Sequence, residues 1–171
     1  RPSILSTDNV GKVETINHLL LYQEKKYNKK YDYILDLDVT APLRTIDDLT
    51  KALKKIDSDS NALNLFSVSN ANRNPYFNMV EKKKNGYYSL IKESKKKYMN
   101  RQSSPRVYDM NASFYFYKRV FFKKKYKSVI TKRSLIYKCD NICFDIDNQL
   151  DFEIMEYLIK QNKLNFKFWK F

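Results

Sequence analysis

The spacing of apolar and polar positions changes along the chain and predicts its elements. In residues 10–23 apolar side chains recur every three or four positions, which predicts an amphipathic helix capped by Thr7 or Asp8. Residues 33–39 form a nearly continuous apolar run, which is typical of a strand covered on both faces. A second helical pattern follows Thr45. This alternation predicts an α/β domain with a mainly parallel sheet and helices on both faces.

The rest of the chain predicts more strands and an inserted hairpin. Short apolar runs predict four further strands, at residues 62–69, 112–117, 134–139 and 142–146. Two short alternating stretches flank Asn85-Gly86, a dipeptide that is typical of a tight hairpin turn. A last helix is predicted with Asp151 as its cap. We therefore expect one domain, residues 1–171, with a hairpin insertion at 75–108.

Two pairs of acids at predicted strand ends are the main candidates for chemistry. Asp145 and Asp147 are separated by one residue, so strand geometry places both carboxylates on one side. Asp36 and Asp38 repeat this spacing at the end of an earlier strand. Ligands of open α/β sheets bind beyond the carboxyl ends of strands, and Mg²⁺ takes oxygen ligands. The spacing is compatible with a metal–phosphate site, although solvated acids at a strand end are the more frequent meaning of one such pair.

The net charge adds nucleic-acid binding as an alternative function, and the cysteine content disfavours a zinc site. The 33 basic and 19 acidic residues give a net charge of +14, carried mostly by lysines in scattered runs. This excess suggests nucleic-acid binding, but base readers rely on Arg, Asn and Gln, so we favour a lysine-coated surface that attracts an anionic substrate. No apolar run reaches the length of a membrane span. Cys139 and Cys143 have no nearby histidine, which favours free thiols in the cytoplasm over a zinc site.

Four blocks of the sequence match one known pattern in order and spacing. They are Arg1-Pro2 with Thr7-Asp8, residues 38–45 (Asp-Val-Thr-Ala-Pro-Leu-Arg-Thr), Arg101-Gln102 with residues 111–115 (Asn-Ala-Ser-Phe-Tyr), and residues 144–147 (Phe-Asp-Ile-Asp) with Asp151-Phe152. Together they resemble the acylneuraminate cytidylyltransferases, the CMP-sialic acid synthetase family. The segments at 36–40 (Asp-Leu-Asp-Val-Thr) and 74–80 (Asn-Pro-Tyr-Phe-Asn-Met-Val) are more similar to the branch that activates legionaminic acid, a bacterial nine-carbon acid.

The resemblance implies a Rossmann-like fold and a reaction in which CTP and a nonulosonic acid give a CMP-sugar and pyrophosphate. It implies that Asp145 and Asp147 are catalytic and hold Mg²⁺, with Asp145 as a candidate base. The implied substrate-binding residues are Asp38, Thr40, Arg44, Arg101, Gln102, Asn111 and Tyr115. Three of these keep a structural alternative, namely loop support for Arg44, backbone hydrogen bonding for Asn111 and core packing for Tyr115. The resemblance also implies a homodimer in which the hairpin insertion closes the partner's sugar pocket.

One part of the family pattern has no match in these residues. The Gly- and Lys-bearing loop that holds the CTP phosphates is expected before Arg1, together with its strand. We therefore expect strand 33–39 to have an open edge that another segment or chain covers, and these residues alone to lack half of the nucleotide site. A basic nucleic-acid-binding protein and an inactive homologue kept as a structural subunit are the alternatives to an active enzyme.

Overall fold

The computed structural model describes residues 2–5, 7, 10–124 and 126–164 of the chain. Arg1 and Asp8, which belong to the first sequence block, lie outside the described residues. After a 3-10 turn at Ser3–Leu5, the elements of the described part are α1 (Lys12–Tyr27), β1 (Tyr33–Leu37), α2 (Ile46–Asp57), β2 (Asn64–Asn70), β3 (Val80–Lys82), β4 (Tyr88–Leu90), β5 (Tyr108–Lys118), α3 (Arg119–Lys123), β6 (Ser134–Lys138) and α4 (Gln149–Lys160). In this part of the chain no helix combines the length and the apolar character needed to cross a bilayer.

The chain divides into two compact units. The smaller unit is the middle segment, Ser69–Met110, and the larger unit is formed by the parts before and after it. The smaller unit contains the predicted hairpin, in which β3 and β4 pair antiparallel. Gly86 in its turn has φ of 87°, a value that glycine adopts readily because it has no Cβ.

The larger unit contains a four-stranded mixed sheet with the order β1-β5-β2-β6. β1 is antiparallel to β5, and β2 is parallel to β6. The Lys118 amide donates to the Leu63 carbonyl and the Phe114 amide donates to the Ser67 hydroxyl, so β5 also runs opposite to β2. The α/β class is confirmed, but the mainly parallel sheet is not, because most neighbouring strands are antiparallel. β5 follows the inserted unit rather than a crossover helix, so no right-handed βαβ connection fixes its direction.

Two clusters of buried side chains cover the opposite faces of this sheet. The cluster that includes α1 consists of Val13, Leu20, Leu63, Phe66, Val68, Tyr115, Tyr117, Phe121 and Phe122. The cluster that includes α2 consists of Ala52, Ile56, Ala62, Leu65, Phe114, Phe116 and Cys139. Successive strand residues point to opposite faces, so the alternation along β5 assigns α1 and α2 to different sides of the sheet. The prediction of helices on both faces is therefore confirmed.

Capping boxes begin the two helices that flank the acidic segments. Thr45 is the N-cap of α2, as predicted: its Oγ1 accepts from the Asp48 amide at 3.0 Å, and its own amide donates to the Asp48 carboxylate at 2.9 Å. The predicted cap of α4 is corrected by three positions. Asn148 is the N-cap, and Asp151 closes the box by accepting from the Asn148 amide at 3.2 Å. Asp151 therefore sits in the first turn, where its charge also suits the helix dipole.

β1 is an edge strand in the part of the chain that the structure describes. It pairs with β5 from Tyr33 opposite Lys118 to Leu37 opposite Phe114. Leu35 and Leu37 are each 41% exposed. The expected open edge of this strand is therefore present among the described residues.

A buried ion pair ties the end of α1 to the start of α3. The Glu24 carboxylate accepts from Arg119 Nε at 2.6 Å and from Arg119 Nη2 at 2.7 Å, and Lys30 Nζ lies 3.0 Å away. The hydrogen bonds from Arg119, reinforced by Lys30, lower the pKa of Glu24 to about 2.

The depressed pKa of Glu24 predicts a loss of stability in acid. The pair stabilises the fold fully above a pH of about 4.5, the ordinary pKa of the carboxyl, and we expect this contribution to disappear as the pH falls towards about 2. Thermal unfolding midpoints measured across this range are the test. Glu24→Gln is the control, and it is expected to melt lower at neutral pH and to show a shallower decline in acid. Equal declines in both proteins would contradict the prediction.

Candidate active site

The first turn of α1 meets the carboxyl end of β1 at Lys12, a lysine that no sequence pattern marks as functional. α1 begins at Lys12, with Gly11 as its N-cap, slightly later than the apolar spacing predicts. Lys12 Nζ lies 2.9 Å from Asp36 Oδ2, 3.4 Å from Asp38 Oδ2 and 4.2 Å from the ring centre of Tyr115. One lysine therefore pairs with both acids of the earlier pair and covers the face of a predicted substrate residue. The available signal was its position outside the lysine runs, at the start of a helix.

Asp38 and Thr40 form the turn that follows β1. Asp38 Oδ1 accepts from the Thr40 amide at 3.2 Å and from Thr40 Oγ1 at 2.9 Å. Burial raises the pKa of Asp38, but the hydrogen bonds from Thr40 and the charge of Lys12 outweigh burial and lower it overall. The carboxylate is thus held in its ionised form and in a fixed orientation.

Arg44 fastens the same turn to β5. Its Nη1 atom lies 2.9 Å from the Asp38 carbonyl oxygen, 2.8 Å from that of Ala41 and 2.9 Å from that of Ser113. Backbone carbonyls thus surround this end of the guanidinium. These contacts favour loop support, one of the two roles expected for Arg44.

The segment that carries Asp145 is not a strand, contrary to the prediction for residues 142–146. β6 ends at Lys138, and the chain then follows an irregular path to α4. The Ile146 amide donates to the Thr40 carbonyl at 2.8 Å, and Cys143 Sγ donates to the Leu43 carbonyl at 3.2 Å. This segment packs beside the irregular loop at residues 40–43, which offers only isolated carbonyl acceptors. The apolar–acidic alternation of the segment therefore does not lead to a ladder of strand hydrogen bonds. Both cysteines are free thiols, as predicted.

These contacts bring Asp145 and Asp147 close to Asp38. Asp145 Oδ1 is buried and has no hydrogen-bond partner among the described residues. Burial raises the pKa of Asp145, and the charges of Asp147 and Asp38 raise it further, while Lys12 acts in the opposite direction. Asp147 is exposed, and its amide donates to the Asp151 carboxylate at 3.0 Å. The two predicted acid pairs therefore belong to one site.

The donor set of this site fits a hard divalent cation. A buried carboxylate oxygen without a partner, on which the charges of Asp147 and Asp38 also act, is stabilised by a positive charge that offsets its desolvation and repulsion. The described residues contain no ready-made group of three or more His, Cys, Asp or Glu side chains for a metal. Two aspartates with water and phosphate as further ligands match Mg²⁺, which commonly keeps such ligands, better than zinc. Asp145 and Asp147 are the residues that could hold the ion.

Comparison with known proteins places the chain in a family. No family model matches it. "Post-translational flagellin modification protein B" of Campylobacter coli is 36% identical over 168 residues, which cover 98% of this chain and 69% of that protein. "CMP-N,N'-diacetyllegionaminic acid synthase" of Campylobacter jejuni is 36% identical over 166 residues, which cover 96% of this chain and 68% of that protein. The chain belongs to the acylneuraminate cytidylyltransferase family. Within that family it falls in the CMP-legionaminic acid synthetase branch.

Asn111, in the third family block, lies in a buried hydrogen-bond network between β2 and β5. Its Oδ1 accepts from Ser67 Oγ at 2.6 Å and from the Ser113 amide at 3.3 Å. Ala112 has φ of 52°, in the left-handed region that residues other than glycine seldom adopt. The oxygen of Asn111 therefore holds the backbone around an unusual residue, which is the structural alternative expected for it.

Tyr115 combines core packing with a place in the site. Its ring is buried, and the ring of Tyr117 stacks on it with centroids 6.3 Å apart. The opposite residue in the β1–β5 register is Asp36, and Lys12 lies over the ring. Burial raises the pKa of the phenol, which keeps it protonated.

Arg101 and Gln102 belong to the smaller unit. Both are exposed, and an Arg101 guanidinium nitrogen donates to the Ala71 carbonyl. Asn74, part of the 74–80 segment, connects two parts of this unit: its Nδ2 donates to the Pro105 carbonyl at 3.0 Å, and its Oδ1 accepts from the Tyr76 amide at 2.9 Å. Contact of Arg101 and Gln102 with substrate remains a prediction of family membership.

Proposed function

We propose that the protein is a cytidylyltransferase that activates a legionaminic- or sialic-type nonulosonic acid with CTP and releases pyrophosphate. The observation that carries the proposal is the 36% identity, over 96% of the chain, to a protein named CMP-N,N'-diacetyllegionaminic acid synthase. The arrangement of Asp38, Asp145 and Asp147 supports it, because a phosphate-bound metal needs such a carboxylate site.

In the proposed reaction the anomeric hydroxyl of the sugar acid forms a bond to the α-phosphorus of CTP. The bond from that phosphorus to the bridging oxygen breaks, and pyrophosphate leaves. Asp145 and Asp147 hold Mg²⁺, which when bound offsets phosphate charge. Asp145 is also the candidate acceptor of the hydroxyl proton.

The other candidate residues bind or orient the sugar acid, directly or through the backbone that they support. Asp38 and Thr40 face the sugar beside the metal, and Arg44 and Asn111 hold the backbone that carries them. Arg101 and Gln102 contact the sugar carboxylate and its polar arm, since an arginine fork suits a carboxylate. A Rossmann-like fold, a homodimer closed by the 75–108 insertion and a cytoplasmic location complete the proposal.

The test is a direct assay on the complete natural polypeptide. It is incubated with CTP, Mg²⁺ and either N,N'-diacetyllegionaminic acid or N-acetylneuraminic acid, and pyrophosphate release and the mass of the product are recorded. We expect pyrophosphate and a CMP-sugar only when both substrates and the metal are present. Absence of product with every nonulosonic acid tried would overturn the proposal. Binding to duplex DNA that falls steeply with salt would then favour the nucleic-acid alternative.

A further inference from the structure

Lys12 differs from the surface lysines that make up most of the positive charge. It joins two elements, because its Nζ pairs with Asp36 and Asp38 from the first turn of α1, and its side chain is only 37% exposed. A typical surface pair is Lys51 with Asp47, one helical turn apart on α2, with side chains 62% and 67% exposed. Lys12 also lies over the Tyr115 ring, which shields its ammonium on one side.

Lys12 pairs directly with the acids of this carboxylate site in the metal-free protein, and the charge of Arg44 also interacts with Asp36 and Asp38. The charge of Lys12 also acts on Asp145. The aspartates repel one another, and one ammonium compensates only part of their charge. An entering divalent ion would meet both the attraction of the carboxylates and the repulsion of Lys12, so the two cations compete for the same negative charge.

We propose that Lys12, which pairs with Asp36 and Asp38 in the metal-free protein, disfavours entry of the divalent metal at Asp145 and Asp147 until the nucleotide binds and gives the ammonium a new partner. This inference rests on the proposed function of the site. The long flexible stem of lysine allows the ammonium to leave Asp36 and Asp38, and a compact ammonium binds phosphate oxygens well. The triphosphate thus supplies both ligands for the metal and a new partner for Lys12. Metal and nucleotide binding are therefore coupled, and the metal binds weakly without nucleotide.

The test measures Mn²⁺ binding, which needs no turnover. Free Mn²⁺ is followed by electron paramagnetic resonance during titration of the complete polypeptide, with and without CTP. We expect Lys12→Met to bind Mn²⁺ about tenfold more tightly without nucleotide, because the positive charge that pairs with Asp36 and Asp38 and acts on Asp145 has been removed. CTP is then expected to tighten Mn²⁺ binding less in this variant than in the wild type. Lys12→Arg keeps the charge and is expected to stay within about twofold of the wild type.

Lys51→Met is the matched control, because it removes the same charge from an exposed pair, and it is expected to bind Mn²⁺ like the wild type. Lys12→Gln provides a second neutral variant if Lys12→Met does not fold. Unchanged or weaker Mn²⁺ binding in the folded neutral variant would overturn the role of Lys12 and leave the metal site standing. Absence of Mn²⁺ binding in every protein, with and without CTP, would overturn the proposed function as well.

Discussion

Asp145→Asn is expected to lower the rate of CMP-sugar formation by about a hundredfold to a thousandfold, the loss that follows when several kcal/mol of metal-based stabilisation are removed from a transition state. The substitution keeps the size of the side chain and removes its charge. It therefore acts on a carboxylate whose buried Oδ1 has no hydrogen-bond partner among the described residues. The measurement is the initial rate of pyrophosphate release at saturating CTP and sugar acid.

Asp145→Asn is expected to keep or raise the stability of the protein at neutral pH while it lowers activity. The pKa of Asp145 is raised by burial and by Asp147 and Asp38, so the ionised form is disfavoured in the folded protein. Stability from a raised carboxyl pKa is present at low pH and lost as the pH rises through the folded value, so removing the charge relieves a penalty at neutral pH. An unchanged or higher melting temperature with a large loss of activity is typical of a functional residue rather than a structural one.

Asp140→Asn is the matched control for this experiment. Asp140 lies on the same segment and pairs with Lys138, but its side chain is 81% exposed. We expect this variant to keep its activity within about twofold, since exposed ion pairs contribute little. Asp145→Asn with more than half of the wild-type rate would remove Asp145 from the catalytic machinery.

Local sequence signals predicted those features whose causes are local. The cap at Thr45 needs only a hydroxyl followed three residues later by an acid, and the turn at Asn85-Gly86 needs only a residue without a Cβ. The direction of β5 could not be predicted in this way, because Leu63 and Ser67 of its partner segment are distant in sequence. Long-range pairing sets strand direction, and apolar spacing within one strand carries no information about it.

In the candidate site, too, features with local causes could be predicted and features that depend on long-range contacts could not. Spacing offered Asp145 and Asp147 as one of two candidate acid pairs at the carboxyl ends of strands, and the family resemblance assigned them the catalytic role. The spacing assigned them to a strand, because alternation looks the same whether the partner is a strand or a loop such as residues 40–43. Lys12 was missed, since only the folded chain brings it to Asp36 from 24 positions away. A single lysine shows no role in the sequence, because its partners Asp36 and Asp38 become its neighbours only in the folded chain.

Arg44→Met is expected to lower the free energy of unfolding by about 2–4 kcal/mol, because a partly buried charged donor among backbone carbonyls is worth about 1.5–3 kcal/mol per hydrogen bond. The Nη1 atom of Arg44 donates hydrogen bonds to the carbonyls of Asp38, Ala41 and Ser113. The Ala41 and Ser113 oxygens keep another donor, the Ser113 hydroxyl and the Asp38 amide respectively, which limits the loss. Urea unfolding followed by circular dichroism measures the change.

Two further variants calibrate this result. Arg44→Lys keeps the charge but replaces the planar guanidinium with a single nitrogen, so an intermediate loss is expected. Arg73→Met, at an exposed position in the smaller unit, is expected to change the free energy of unfolding by less than about 0.5 kcal/mol. An Arg44→Met protein that unfolds at the wild-type urea concentration would contradict loop support.

Kinetics of the same variant separate the two roles expected for Arg44. If Arg44 contacts the sugar acid, its loss raises the KM for the sugar acid and leaves the rest of the site intact. If it supports the loop, its loss frees Thr40, whose carbonyl accepts from the Ile146 amide next to Asp145, so the metal site loosens as well. We expect the second pattern, with a lower kcat and weaker Mn²⁺ binding beside a nearly unchanged KM. The geometry favours loop support, because the hydrogen bonds that Arg44 Nη1 donates in this turn go to backbone carbonyl oxygens of the protein itself.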